Sequence, residues 1–115
     1  KNGKTIDTVE GIDVESFKPL AENSTIFDVR KPGEYLSEHL VNANSTPLDF
    51  LNNHMSEFPS KGNFYIHCAG GYRSMIAASI LKSRGIHNLI DVRGGFSAIK
   101  EGGMKVSDYV CPSTL

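Results

Sequence analysis

Apolar residues in this chain gather in short unbroken runs, and between the runs they recur every three or four positions. The runs are Thr25-Ile26-Phe27-Asp28-Val29, Phe64-Tyr65-Ile66 and Leu89-Ile90-Asp91-Val92. A run that barely alternates predicts a strand covered on both faces, the habit of parallel sheets. The intervening stretches predict helices. Asp13 is placed to cap one over Val14–Ala21, with Phe17 and Leu20 inward. Pro32 opens a short helix through Glu34, Tyr35 and Leu36, and Pro47 opens another carrying Leu48, Leu51 and Met55. Ile76, Ala77, Ile80 and Leu81 share a face of a helix that Gly85 can end, and a last helix over Phe96–Glu101 stops at Gly102-Gly103. Residues 4–9 alternate and are β-branched, as an edge strand is, and 40–46 hold a further brief strand. Strands alternating with helices predict an α/β domain, a parallel sheet wrapped on both faces.

Composition narrows the class. With 115 residues the chain fits one domain, with a core over about 5–105 and a tail over 106–115. Twelve basic against 13 acidic residues, with no charged run, give no footprint for nucleic acid or an anionic membrane. No apolar stretch approaches the roughly 20 residues of a membrane span. The two cysteines, Cys68 and Cys111, are too few for a disulfide scaffold. A reactive thiol fits a reducing compartment, so the cytoplasm is the expected location. Cys111 sits in the polar tail, where an incidental role outweighs a resolving one. Histidines and methionines show no metal-ligand spacing.

The chemistry concentrates in residues 64–85. A buried strand ends at Cys68, a turn of Ala69-Gly70-Gly71-Tyr72-Arg73-Ser74 follows, and a helix continues to Gly85. Two glycines let successive backbone amides curl into an anion-sized nest, and the helix start adds partial positive charge. Arg73 adds a full charge. A thiol there is expected to ionise below its free value of about 8.5, which makes Cys68 the candidate nucleophile. Against this stands the ordinary fate of a cysteine at the end of a buried strand, a small core hydrophobe. Asp28-Val29-Arg30 and Asp91-Val92-Arg93-Gly94-Gly95 also fall at predicted strand ends, so three polar clusters converge on the sheet edge where ligands sit in such folds. Asp28 and Arg30 read either as braces for the loop or as ordinary ion pairing, Arg30 with Glu34. Arg73 reads as thiol activator or as a salt bridge to Asp28. Glu34 and His39 read as structural. Tyr72 and Phe96 read as pocket walls or as core. His67 precedes the thiol but points to the opposite face, which argues against a general base.

In order and spacing, Phe27-Asp28-Val29-Arg30, Glu34-Tyr35, His39-Leu40, Ala43 with Pro47-Leu48, the Cys68–Ser74 loop and Gly94-Gly95 resemble the rhodanese-like domain family over about Thr5 to Lys105. The resemblance implies a three-layer α/β/α fold on a parallel sheet of about five strands, and sulfur transfer as the activity. Cys68 would take a sulfane sulfur from a donor and hold it as a persulfide for a thiol or cyanide acceptor, with no cofactor or metal. The amides of Ala69, Gly70, Gly71, Tyr72 and Arg73 would cradle that sulfur, and Asp28, Arg30 and Ser74 would support the loop. Four residues separate Cys68 from Arg73, the count of the sulfurtransferases; the phosphatases and arsenate reductases sharing the fold have five.

Departures from the family pattern are specific. Ala69 and Gly70 lack the cations that favour thiosulfate, so a low-molecular-weight or protein persulfide becomes the better donor. Glu38 replaces a glycine, Ser45-Thr46 an Asn-Ile pair, and Ile99 a frequent tryptophan. The loop and the helix after it look most like rhodanese modules fused to metallo-β-lactamase-fold hydrolases, so an excised domain of such a fusion is expected. The rival readings are a non-catalytic interaction or regulatory module of such a protein and, disfavoured by the loop count, a thiol phosphatase or arsenate reductase.

Overall fold

The computed structural model describes residues 10–58, 62–70 and 72–107. Gly71, Cys111 and the strand expected over 4–9 lie outside the described residues. Five parallel strands form one sheet: β1 (Gly11–Ile12), β2 (Ile26–Asp28), β3 (Ala43–Ser45), β4 (Phe64–His67) and β5 (Leu89–Val92), in the spatial order β1-β5-β4-β2-β3. Between them run α1 (Val14–Ala21), α2 (Pro32–Ser37), a 3-10 helical segment (Leu48–Glu57), α3 (Tyr72–Ser83) and α4 (Gly95–Glu101).

The pleat divides the core in two. Phe27, Phe64, Ile66 and Leu89 point to one face, where Ala77, Ala78 and Leu81 of α3 and Leu51 of the 3-10 segment cover them. Ile26, Tyr65, Ile90 and Val92 point to the other and meet Val14, Phe17 and Ala21 of α1 and Ile99 of α4. The unbroken apolar runs are thus the mark of strands packed on both sides. Ile99 is fully buried on the α1 side of the sheet.

Several sequence expectations need correction. Asp13 does cap α1, accepting a hydrogen bond from the Ser16 amide at 2.8 Å. Leu20, however, is 44% exposed, because the inward stripe at helical spacing runs through Val14, Phe17 and Ala21 and leaves Leu20 off its edge. Ile76 is likewise exposed; the buried stripe of α3 is Ser74, Ala77, Ala78 and Leu81. The helix after Pro47 is 3-10, broken at Phe50 (φ −120°, ψ 24°), in keeping with the weak α-formers Asn52, Asn53 and His54 in it. Gly11–Ile12, too short for any periodicity, adds the strand β1 beside β5. Among the described residues no helix is long and apolar enough to cross a membrane.

Candidate active site

Because all strands are parallel, β2, β4 and β5 present their carboxyl ends on one edge. Asp28 stands beside His67, and Ile66 beside Asp91. Cys68 is the first residue past β4. The pleat sends its side chain to the α3 face and that of His67 to the α1 and α4 face. Helix α3 begins at Tyr72, so Tyr72, Arg73 and Ser74 lie in its first turn and not in the preceding turn as the sequence suggested. Cys68 Sγ lies 3.6 Å from Ser74 Oγ in that first turn.

The thiol is deep. Cys68 is 1% exposed, a burial ordinary for a structural cysteine. Ala69 is half-buried, Gly70 exposed, and Tyr72 exposed at 79%, so Tyr72 belongs to neither the core nor a closed pocket wall.

Helix α4 grips the back of the cysteine loop. The amide of Phe96 donates to the Cys68 carbonyl at 2.6 Å, and that of Ser97 to the Ala69 carbonyl at 3.1 Å. This closeness demands glycine at 95. Its φ is +59°, and a Cβ there would overlap the Cys68 carbonyl oxygen and lie 2.8 Å from the Ala69 carbonyl carbon. Gly95, which the sequence places in the cluster at the end of the last strand, is therefore part of the loop's support. Its signal in the sequence was the second of two adjacent glycines at a strand-to-helix turn.

Two ion pairs flank the loop, and their partners differ from those considered from the sequence. Arg30 pairs with Asp28, not Glu34: Nε lies 3.0 Å from both carboxylate oxygens and Nη2 2.7 Å from Oδ2. The Arg30 amide donates to Asp28 Oδ1 at 2.9 Å, and Nη2 also donates to the Glu38 carbonyl. Both residues are buried, and the Arg30 guanidinium lies 4.2 Å over the Phe96 ring. The pair so reaches the cysteine loop through Phe96, whose amide holds the Cys68 carbonyl. Arg73, in turn, bonds Glu34 and not Asp28, at 2.6 Å (Nη1–Oε1) and 3.1 Å (Nη2–Oε2). The Arg73 hydrogen bonds hold the Glu34 carboxyl below its ordinary value, with help from the Lys31 amide and against partial burial. Glu34 is placed by α2, whose Tyr35 hydroxyl donates to the Ala43 carbonyl at 2.6 Å.

His67 is fully buried, with Nδ1 3.1 Å from the Cys68 carbonyl and Nε2 3.9 Å from Asp28 Oδ2. Burial pushes its pKa down, against the opposing pull of Asp28. On the far side of the sheet from the thiol, it is not placed as a general base. Burial pushes Asp91 up, opposed by Ser74 and the charges of His67 and Arg93. A carboxylate inside the apolar run Leu89-Ile90-Asp91-Val92 was the sequence signal for this residue.

Concavities lie elsewhere or are small. A hollow of about 40 Å³ beside Arg73 is lined by Val29, Lys31, Pro47, Leu48 and Asp49 as well. A cavity of about 490 Å³ near the end of α1, bordered by Lys18, Leu40, Met104 and Lys105, contains none of the candidate residues. Among the described residues no His, Cys, Asp and Glu cluster could hold a metal ion.

A five-stranded parallel sheet with helices on both faces, and a cysteine at the strand-to-helix turn of its central strand, defines a class of α/β domain. The chain belongs to the rhodanese-like domain family, whose profile matches residues 13–102. It is 30% identical over 89 residues to the uncharacterized protein YqhL of Bacillus subtilis, spanning 77% of this chain and 69% of that one. To a sulfurtransferase of Allochromatium vinosum it is 29% identical over 101 residues, covering 85% of this chain and 94% of the relative. The solution structure of the rhodanese-like domain from the Anabaena Alr3790 protein superposes with a TM-score of 0.79 at 24% identity, over 88% of this chain and 80% of that one, a likeness of fold.

Proposed function

We propose that this domain is a Cys68-dependent sulfurtransferase. Cys68 accepts a sulfane sulfur from thiosulfate or a low-molecular-weight persulfide and passes it, as a persulfide, to a thiol or cyanide. The observation carrying this reading is the spacing and setting of the loop. Four residues separate Cys68 from Arg73, a span suited to one sulfur atom. The loop's back is fixed by the Phe96 and Ser97 amides, and its far end by Arg73 on Glu34. A reactive loop needs support of this kind on rigid elements. Relatives named as sulfurtransferases, including that of Allochromatium vinosum, support the same class. The amides of residues 69–73 stabilise charge on the terminal sulfur, an anion-hole role.

The steps are covalent catalysis. The Cys68 thiolate attacks the outer sulfur of the donor, and the donor's remaining group leaves with the bonding electrons. The acceptor then attacks the outer sulfur of the persulfide and releases the Cys68 thiolate. Arg73 contributes positive charge near Cys68, and its fork on Glu34 holds that charge in place.

The depth of the thiol favours a second reading, a rhodanese module used for interaction. Turnover separates the two. Thiocyanate formation from cyanide, with thiosulfate and with glutathione persulfide as donors, is expected for the native chain, faster with the persulfide, and absent in Cys68→Ser. Equal turnover by Cys68→Ser, or none by the native chain with either donor, overturns the first reading.

A further inference from the structure

The cavity of about 490 Å³ opens at the amino ends of β2 and β3, the sheet edge opposite Cys68. Its walls are the end of α1, the residues leading into β3 and the chain after α4. Ala21 and Leu40, 5% and 2% exposed, give it an apolar floor, and the partly buried Met104 packs against the same core. Hydrogen bonds tie the walls together. Asn42 Nδ2 donates to the Ala21 carbonyl at 2.6 Å, and the Val41 amide donates to the Lys105 carbonyl at 3.2 Å. Leu40 and Val106 pair as an antiparallel bridge. The hollow is therefore built before any ligand arrives, which lowers the ordering cost of binding. Its volume falls in the range of small-molecule sites, about 300–1,000 Å³.

Charge around this hollow is uneven. Lys18 and Lys105 both line it, both are exposed, and neither pairs with a carboxylate among the described residues. Glu22 lines it too, without an ion pair to Lys18 one turn before it, so one positive charge is in excess. The carbonyls at the end of α1 do not add to the negative side. That of Leu20 already accepts from the Asn23 amide and the Ser24 hydroxyl, and that of Ala21 from the Ser24 amide and the Asn42 side chain. Val41, half exposed, extends the apolar floor to the mouth. An apolar floor beside unpaired ammonium groups suits a molecule with an apolar body and an anionic end.

We propose that this cavity binds an amphipathic monocarboxylate. Its hydrocarbon body lies against Ala21, Leu40, Val41 and Met104, and its carboxylate is held by Lys18 and Lys105. Met104 suits such a floor, because its flexible thioether adapts to ligands of differing shape. Ion pairs at an exposed rim are weak, so the apolar body supplies most of the affinity and the two lysines choose the sign of the charge. Neither Cys68 nor Arg73 lines the cavity, so the site stands independently of the sulfur-transfer reading.

The test titrates octanoate into the isotope-labelled chain and follows amide resonances. Those of Ala21, Leu40, Val41 and Asn42 are expected to move, with a dissociation constant on the order of 1 mM, while those of the Cys68 loop stay in place. Affinity is expected to rise about two- to fourfold per methylene from hexanoate to decanoate, as apolar burial requires. Octanol is expected to bind about tenfold more weakly than octanoate, and the Lys18→Gln/Lys105→Gln variant to lose about as much for octanoate. Lys18→Arg/Lys105→Arg keeps both charges and is expected to bind as the parent does. Both lysines are exposed, so each variant is expected to keep the parent's circular dichroism and melting temperature. Resonances that move only around Cys68, or not at all, overturn the proposal. So do an affinity indifferent to chain length, octylammonium binding as tightly as octanoate, or a Gln variant that binds like the parent. A dimer in sedimentation velocity that shields these same residues also overturns it, since a second copy is then the occupant.

Discussion

Arg73 and Glu34 meet fork to fork, 2.6 and 3.1 Å apart, and join the first turn of α3 to α2 across 39 residues of chain. Such a pair fixes direction as well as charge, and a lysine cannot reproduce it. Arg73→Lys is expected to lower kcat/KM for sulfur transfer about tenfold, the equivalent of roughly 1.4 kcal/mol of transition-state stabilisation. Glu34→Gln, which keeps one acceptor, is expected to lose less. Steady-state assays of the two variants check this; an Arg73→Lys enzyme as active as the parent would return the pair to a purely structural role.

The buried pair of Asp28 and Arg30 is expected to matter to folding more than to chemistry. Asp28→Ala strands a buried guanidinium, and losses on breaking such pairs are about 3–5 kcal/mol. Urea denaturation measures it. A loss under about 1 kcal/mol, the scale of an exposed pair, would mean that water reaches Arg30 in the folded protein.

His67 makes stability fall with acid. Its folded pKa lies below the unfolded one, so unfolding takes up a proton. The stabilisation is complete above the unfolded value of about 6.5 and is lost as pH falls from there toward the folded value. Asp28 and Asp91 oppose the downward shift and Arg30 adds to it, so burial is the dominant cause. The urea midpoint is therefore expected to drop between pH 7.5 and 5.5, and the drop to be smaller in His67→Gln. Equal slopes in both proteins would contradict it, the other three histidines being common to both.

Two glycines give a matched pair of substitutions. Gly95→Ala forces a Cβ against the Cys68 and Ala69 carbonyls at φ +59° and is expected to cost about 1–3 kcal/mol or more, with loss of transfer activity. At Gly33 a Cβ meets nothing within 4 Å, so Gly33→Ala is expected to be neutral or to gain no more than about 1 kcal/mol. Thermal melts of both decide.

What the sequence disclosed follows from what local patterns carry. Runs such as Leu89–Val92 announce strands covered on two faces, and the cysteine between a run and two glycines announces the turn. Leu20 and Ile76 stand exposed because small residues, Ala21 and Ala78, take inward positions of their helices that apolarity alone does not single out. Gly11–Ile12 is a strand only because β5 offers it an edge. The partners of Arg30 and Arg73 depend on where α2 docks, which no local pattern encodes.

The central claim is that sulfur is held covalently on Cys68. Intact mass spectrometry of the native chain after incubation with glutathione persulfide, and separately with thiosulfate, tests it most directly. The expected result is one added sulfur, about 32 Da, mapped to Cys68 and discharged by cyanide, because that adduct is the intermediate of the two-step mechanism. A folded protein that gains no sulfur from either donor, with Cys68 reacting only after denaturation, would contradict it.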